Sequence, residues 1–182
     1  MGNSIFSILI YLGFNHFVFS QCDLKVWRDE FNNKLKVESK FDNNSQFSLA
    51  HLGCEDCFSI GQIGFYKVDE NLYFKVRVSS STIFSVSVGD SAFIKFTDGT
   101  ILKMVSTTSG IADIESGTIK WWYEYIYYYI NKEDALSILN KEPFKIRYDF
   151  TNKRDHSIFT KKGKKRFIDR LNCMYSLESS PK

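Results

Sequence analysis

Apolar and polar side chains alternate at every second position over much of the chain between residues 34 and 150. The clearest case is the segment 72–78, in which four apolar side chains alternate with Tyr73, Lys75 and Arg77. Such a repeat is typical of a strand with one buried face. Segments with the same alternation are 35–41, 84–88 and 144–150. The pattern therefore predicts a mainly antiparallel β fold.

Two turn dipeptides, Gly89-Asp90 and Asp98-Gly99, flank one of these segments. Glycine reaches the positive φ that tight hairpin turns require. We therefore expect a meander of three consecutive strands at 82–88, 92–97 and 100–105.

Two segments have helical signals instead. Asn131 can cap a short helix near 132–139, because its side chain can accept a hydrogen bond from the first turn. Near 159–175, apolar residues recur at three- and four-residue spacing, which is the pattern of a helix with one buried stripe. The fold class predicted is α+β: an antiparallel sheet or sandwich of about seven or eight strands, with a short helix and a C-terminal helix packed on it.

The first twenty residues contain no Lys, Arg, Asp or Glu, and their apolar stretch 5–12 has the length of a signal-peptide core. Ser20 is a small residue suited to cleavage before Gln21. We expect residues 1–20 to be a signal peptide and 21–182 to be one exported domain, periplasmic or at the cell surface, without a transmembrane span. The other interpretation is a buried N-terminal element of an intracellular protein. A lipid anchor on Cys22 is disfavoured, because Gln21 is not the small residue that lipid processing needs.

The C-terminal part of the chain is basic. Residues 151–182 contain nine Lys and Arg against three Asp and Glu, a net charge of +6, whereas the rest of the chain carries −3. This asymmetry indicates either an anionic neighbour or a solvated helix face. Export argues against nucleic acid as the partner.

Four cysteines remain after the proposed cleavage. In an oxidising compartment we expect structural disulfides, with Cys54–Cys57 favoured as a loop clamp and Cys22–Cys173 possible because chain ends often lie close together. An alternative is a zinc site on His51, Cys54 and Cys57, which would need a fourth ligand from far away in sequence. A catalytic thiol pair is disfavoured, since Glu55 and Asp56 would raise the pKa of either thiol.

The segment 118–130 is rich in aromatic residues and predicts one long strand. Alternation places Trp121, Tyr123, Tyr125, Tyr127 and Tyr129 on one face. The opposite face holds Trp122, Ile126, Tyr128 and Ile130. One face must be core, and the other is a candidate surface for a glycan or protein ligand. Residues considered for that aromatic surface are Trp121, Trp122, Tyr123, Tyr125, Tyr127 and Tyr128.

A set of short segments also resembles a known type of protein. These segments are Asp29-Glu30-Phe31, Gly89-Asp90-Ser91, 94–100, Tyr129-Ile130, 132–136 and Lys145-Ile146-Arg147, followed by the basic C-terminal helix. The chain resembles small exported proteins of Gram-negative gut-type bacteria that form a domain family of unknown function. The resemblance implies export and a β-rich fold, and it transfers no site residues.

Motifs for catalysis are lacking in the sequence. It has no Gly-x-Ser-x-Gly, no phosphate-binding glycine loop, and only His51 and His156 after residue 20. We therefore expect a non-enzymatic accessory or binding module without a cofactor, its ligand unidentified. The alternative is a thiol-, disulfide- or zinc-dependent protein that uses Cys54 and Cys57.

Overall fold

The computed structural model describes residues 22–39, 42–43, 58–115, 121–150 and 153–177. These residues form thirteen strands and two helices, and the α+β class with mainly antiparallel strands is confirmed. The strands are β1 (Leu24–Arg28), β2 (Leu35–Ser39), β3 (Asp42–Asn43), β4 (Phe58–Val68), β5 (Asn71–Ser80), β6 (Ser85–Val86), β7 (Ser91–Phe96), β8 (Ile101–Val105), β9 (Gly110–Ile111), β10 (Asp113–Glu115), β11 (Trp121–Ile130), β12 (Pro143–Phe150) and β13 (Lys153–Ile158). The helices are α1 (Lys132–Asn140) and α2 (Lys161–Ser176).

The larger sheet has the strand order β1-β2-β4-β5-β11-β10, and β3 also pairs with β4. Its centre is the long β4–β5 hairpin, with β11 antiparallel to β5 along its whole length. The predicted alternation in β5 is confirmed, because its apolar side chains are all buried. These residues are Leu72, Phe74, Val76 and Val78.

The second sheet has the strand order β13-β12-β7-β8. Its free edge meets the larger sheet at β11, where Ser106 forms a β-bridge with Tyr128. The Thr107 N–H donates to the Tyr127 carbonyl oxygen at 2.8 Å. The two sheets thereby form one curled surface, and their apolar sides share a core in which the rings of Tyr128 and Tyr148 lie 6.3 Å apart.

The meander prediction is correct for β7 and β8 but wrong for the strand before them. Gly89 and Gly99 adopt the predicted positive φ, at 102° and 85°. However, β6 pairs with β9 in a separate two-stranded sheet. The Asp90 carboxylate accepts a hydrogen bond from the Ser87 N–H, and this local turn ends β6 before it reaches β7. Val88, predicted to share the buried side with Phe84 and Val86, is exposed.

Both helices lie where the sequence predicts them. The Asn131 side chain accepts from the Asp134 N–H at 2.8 Å, and the Thr160 hydroxyl accepts from the Gly163 N–H at 3.0 Å. These caps satisfy N–H groups that the first turn of a helix leaves unpaired. Because Thr160 is the cap, α2 begins slightly later than the predicted boundary at 159.

The apolar stripe of α2 packs on the inner side of the larger sheet. Phe167, Leu171 and Met174 are buried. The Phe167 ring lies 5.1 Å from the ring of Phe65 on β4 and 5.6 Å from that of Phe74 on β5. Large apolar rings in such contacts dominate core energetics.

Cys22 and Cys173 form a disulfide that joins the residues before β1 to α2, so this sequence-based pairing is confirmed. Among the described residues, no helix is both long enough and apolar enough to cross a bilayer.

We predict that Phe167→Ala lowers the free energy of unfolding by about 3–5 kcal/mol, because it removes a ring from the centre of the core. Phe31→Ala is the matched control: Phe31 is 99% exposed, so its removal should change stability by no more than about 0.5 kcal/mol. Urea unfolding of both variants measures these values. Equal stability of the two variants would show that α2 does not pack on the sheet through Phe167.

Candidate ligand-binding face

Aromatic side chains from four strands lie together on the outer side of the larger sheet. Register explains this: Tyr66 on β4 is directly opposite Tyr73 on β5, and Tyr73 is directly opposite Tyr129 on β11. The side chains adjacent in sequence to Tyr66, Tyr73 and Tyr129 point to the core, so the three tyrosine side chains point away from it. We call this group the tyrosine face; it comprises Trp27, Tyr66, Tyr73, Tyr123, Tyr125, Tyr127 and Tyr129.

The rings of the tyrosine face contact one another across the strands. The centroid of Tyr73 lies 5.9 Å from that of Tyr129 and 6.4 Å from that of Tyr66. Tyr66 also contacts Tyr127 edge-on at 5.5 Å and Trp27 at 6.3 Å. Offset and edge-on pairs at these separations are the favoured aromatic geometries. Five of the seven rings therefore form a continuous row, whereas Tyr123 and Tyr125 form a separate edge-on pair at 6.0 Å. Most of the seven rings are half-buried.

Cationic side chains are interleaved with the rings. The Lys75 ammonium lies 4.4 Å from the ring centroid of Tyr125 and 5.3 Å from that of Tyr127, and it donates a hydrogen bond of 2.7 Å to Glu38 Oε1. The Arg77 guanidinium lies 4.5 Å from the ring centroid of Tyr123. A cation over an aromatic ring is attracted by the negative face of the ring. These contacts fix the charges within the aromatic surface.

The surroundings of the rings change their acidity. Burial raises the pKa of Tyr127 to about 12, and the nearby Glu38 carboxylate adds to this effect. Burial also raises the pKa of Tyr66. On another part of the same side, the hydrogen bond to Lys36 lowers the pKa of Asp29. At neutral pH Tyr66 and Tyr127 are therefore neutral phenols, and they lie on the same side of the sheet as the ion pair of Lys36 and Asp29.

The residues predicted for the aromatic surface divide between the two sides of β11. Tyr123, Tyr125 and Tyr127 belong to the tyrosine face and are half-buried. Tyr128 is fully buried, with its ring 6.2 Å from that of Phe74, so its assignment to the surface is wrong. Trp122 lies on the core side as well and packs against the buried cluster. Trp121 is part of β11, but its side chain lies outside those that the structure describes.

The sequence-based list of surface residues missed the partners of β11. Tyr66, Tyr73 and Trp27 come from strands distant in sequence, and only the register of β1, β2, β4, β5 and β11 brings them together. Tyr73 had a usable signal, because it is on the polar side of the alternating segment 72–78. Tyr129 was placed on the correct side of β11 but was left out of the list.

The proposed thiol and zinc residues His51, Cys54 and Cys57 lie outside the described residues, so both alternatives stay predictions. Cys22 and Cys173 are bonded to each other. Neither is therefore available as the fourth ligand of such a zinc site. No group of three metal-binding side chains occurs in the part of the chain that the structure describes.

We predict that stability falls as the pH rises from 10 to 12, and that Tyr127→Phe makes this fall smaller. An unfolded tyrosine ionises near pH 10, whereas folding raises the pKa of Tyr127 to about 12. Between these pH values the unfolded state therefore ionises and gains stability relative to the folded state, in which Tyr127 is still mostly neutral. The difference should be on the order of 1 kcal/mol, since solvent screens a half-buried group. Urea unfolding at pH 9 and pH 12 tests this. A variant with the same pH slope as the wild type would contradict it.

Comparison of the chain with protein-family models, with curated proteins and with solved structures finds no match. The resemblance to small exported bacterial proteins stays an expectation from sequence.

Proposed function

We propose that the protein is an exported, non-enzymatic binding module whose tyrosine face binds a glycan. The observation that carries this proposal is the continuous row of aromatic rings from several strands on the side of the sheet opposite the core. A row of partly exposed rings is unusual on a protein surface unless something packs on it.

The chemistry of the face suits a sugar chain. The C–H faces of a sugar ring are apolar and stack on aromatic rings, while its hydroxyls need hydrogen-bond donors and acceptors at the edges. Tyrosine supplies both a flat ring and a hydroxyl. Lys75, Glu38 and Arg77 add charged groups between the rings. A protein ligand would use the same rings, and it is therefore an outcome that the binding test must separate from a glycan.

The face is also organised before any ligand arrives. Its rings stand on strands of one sheet, and each tyrosine has only two side-chain torsions to fix on binding. Rigid groups lose little conformational entropy when a ligand binds. An extended glycan loses conformational entropy of its own when it binds. Its affinity therefore benefits from a protein surface that loses little entropy.

A binding role is favoured over catalysis by the state of the charged groups on the face. The Lys75 ammonium is held by Glu38, and the Lys36 ammonium is held by Asp29. Side chains in such ion pairs can orient a ligand. A general acid or base, in contrast, must be free to exchange a proton with the substrate.

Export is supported by two observations that are independent of the tyrosine face. The charge-free segment 1–20 has the length and the cleavage site of a signal peptide. The Cys22–Cys173 disulfide is of a kind that persists mainly in oxidising compartments. Cleavage before Gln21 would leave Cys22 as the second residue, tied to α2.

We predict that Tyr73→Ala combined with Tyr129→Ala weakens glycan binding at least tenfold. The two rings contact each other, and Tyr129 is 44% exposed, so the double variant removes the most accessible part of the row. A loss of this size follows from stacking contributions of about 1–3 kcal/mol per ring, the value known for aromatic platforms that bind nucleic acid bases. Screening on an array of neutral and acidic oligosaccharides, followed by calorimetry with the best binder, measures the effect.

Phe144→Ala is the control, since Phe144 is an exposed aromatic residue on the second sheet. It should leave glycan affinity unchanged. The proposal is overturned if no array glycan binds, or if the Tyr73 and Tyr129 double variant binds as the wild type does. Binding to proteins but to no glycan would assign the face to a protein partner instead.

A further inference from the structure

The outer side of the second sheet carries a groove that the proposed glycan binding does not use. Its volume is about 350 Å³, within the range of about 300–1,000 Å³ that is usual for small-molecule sites. Six residues from β7, β8 and β12 line it: Phe93, Lys95, Ile101, Phe144, Lys145 and Arg147.

Two cations face each other directly in this groove. Lys145 on β12 is the cross-strand partner of Lys95 on β7. Like charges directly opposite each other destabilise a sheet. Within the described parts of the chain, neither lysine has a carboxylate partner. An anion bound between the two ammonium groups would relieve their repulsion.

A third cation is held at the same place. The Arg147 guanidinium lies 4.4 Å from the ring centroid of Phe93, and its Nε lies 3.2 Å from Asp149 Oδ1. That contact is an ion pair without the alignment of a hydrogen bond. Stacking on the Phe93 ring and attraction to the Asp149 carboxylate orient this guanidinium. Guanidinium groups in general bind phosphate and carboxylate groups through a planar fork of N–H donors.

The remaining lining is apolar and open to solvent. Ile101 is 63% exposed and Phe144 is 43% exposed. Ile101 is the cross-strand partner of Lys95, so apolar and cationic side chains adjoin in one row of the sheet. Apolar side chains bordered by cations complement a ligand that has an apolar part and a negative charge.

We propose that this groove binds a single anionic amphiphile, with its charged head between Lys95, Lys145 and Arg147 and its apolar chain on Ile101 and Phe144. The site is on a different sheet from the tyrosine face and does not depend on the glycan proposal.

Calorimetry with the whole chain and decyl phosphate, kept below its critical micelle concentration, tests the proposal. Lys95→Gln combined with Lys145→Gln should weaken binding at least tenfold and should not lower stability, because the lysines repel each other in the free protein. Lys34→Gln combined with Lys132→Gln removes the same charge from exposed positions elsewhere and should leave binding unchanged.

Two further measurements distinguish the contribution of the ligand's charged head from that of its alkyl chain. Decyl glucoside, which has the same chain without charge, should bind at least tenfold more weakly than decyl phosphate. Ile101→Ser should weaken decyl phosphate binding severalfold and leave the weak binding of inorganic phosphate unchanged.

Three results would overturn the proposal. The first is equal affinity of the Lys95 and Lys145 double variant and the wild type for decyl phosphate. The second is equal affinity for decyl glucoside and decyl phosphate. The third is binding to phosphatidylglycerol vesicles without binding to monomeric decyl phosphate, which would assign the surface to a membrane.

Discussion

Packing of Phe167 against Phe65 and Phe74 is the contact on which the arrangement of this protein depends. It joins the C-terminal helix to the two longest neighbouring strands and fixes which side of the sheet is buried. Because side chains alternate along a strand, burial of Phe74 obliges Tyr73 and Lys75 to point outward. A shift of one residue in register would bury the charged and phenolic groups and expose the core.

The outward-facing side chains have different characters on the two sheets. On the outer side of the larger sheet, Lys75 is paired with the Glu38 carboxylate and Arg77 lies over the Tyr123 ring, so these cations are held within an aromatic surface. On the second sheet Lys95 and Lys145 oppose each other beside exposed apolar groups. The same β architecture therefore offers one surface suited to stacking and another suited to an anionic ligand.

Local sequence patterns predicted where the strands and helices lie better than they predicted which strands pair with each other. The alternation in β5, the cap at Asn131 and the apolar stripe of α2 each have a local physical cause, and the structure has each element there. Pairing is decided by contacts between distant residues. The pairing of β6 with β9, and the meeting of Tyr66, Tyr73 and Tyr129, arise from register that no short segment encodes. Alternation separated the two sides of β11, but it could not tell which side was core, and so Tyr128 was included among surface residues.

Hydroxyl-radical footprinting with mass spectrometry tests the central claim, that alternate side chains of β11 face core and solvent. Tyr128 and Tyr129 are adjacent in sequence, yet the first is 0% exposed and the second 44%. In the folded protein we expect Tyr129 to be oxidised somewhat more slowly than in the unfolded chain, because its side chain is partly buried. We expect Tyr128 to be strongly protected from oxidation in the folded protein and to lose this protection on unfolding. Equal oxidation rates for the two tyrosines in the folded protein, or protection of Tyr129 alone, would contradict the account.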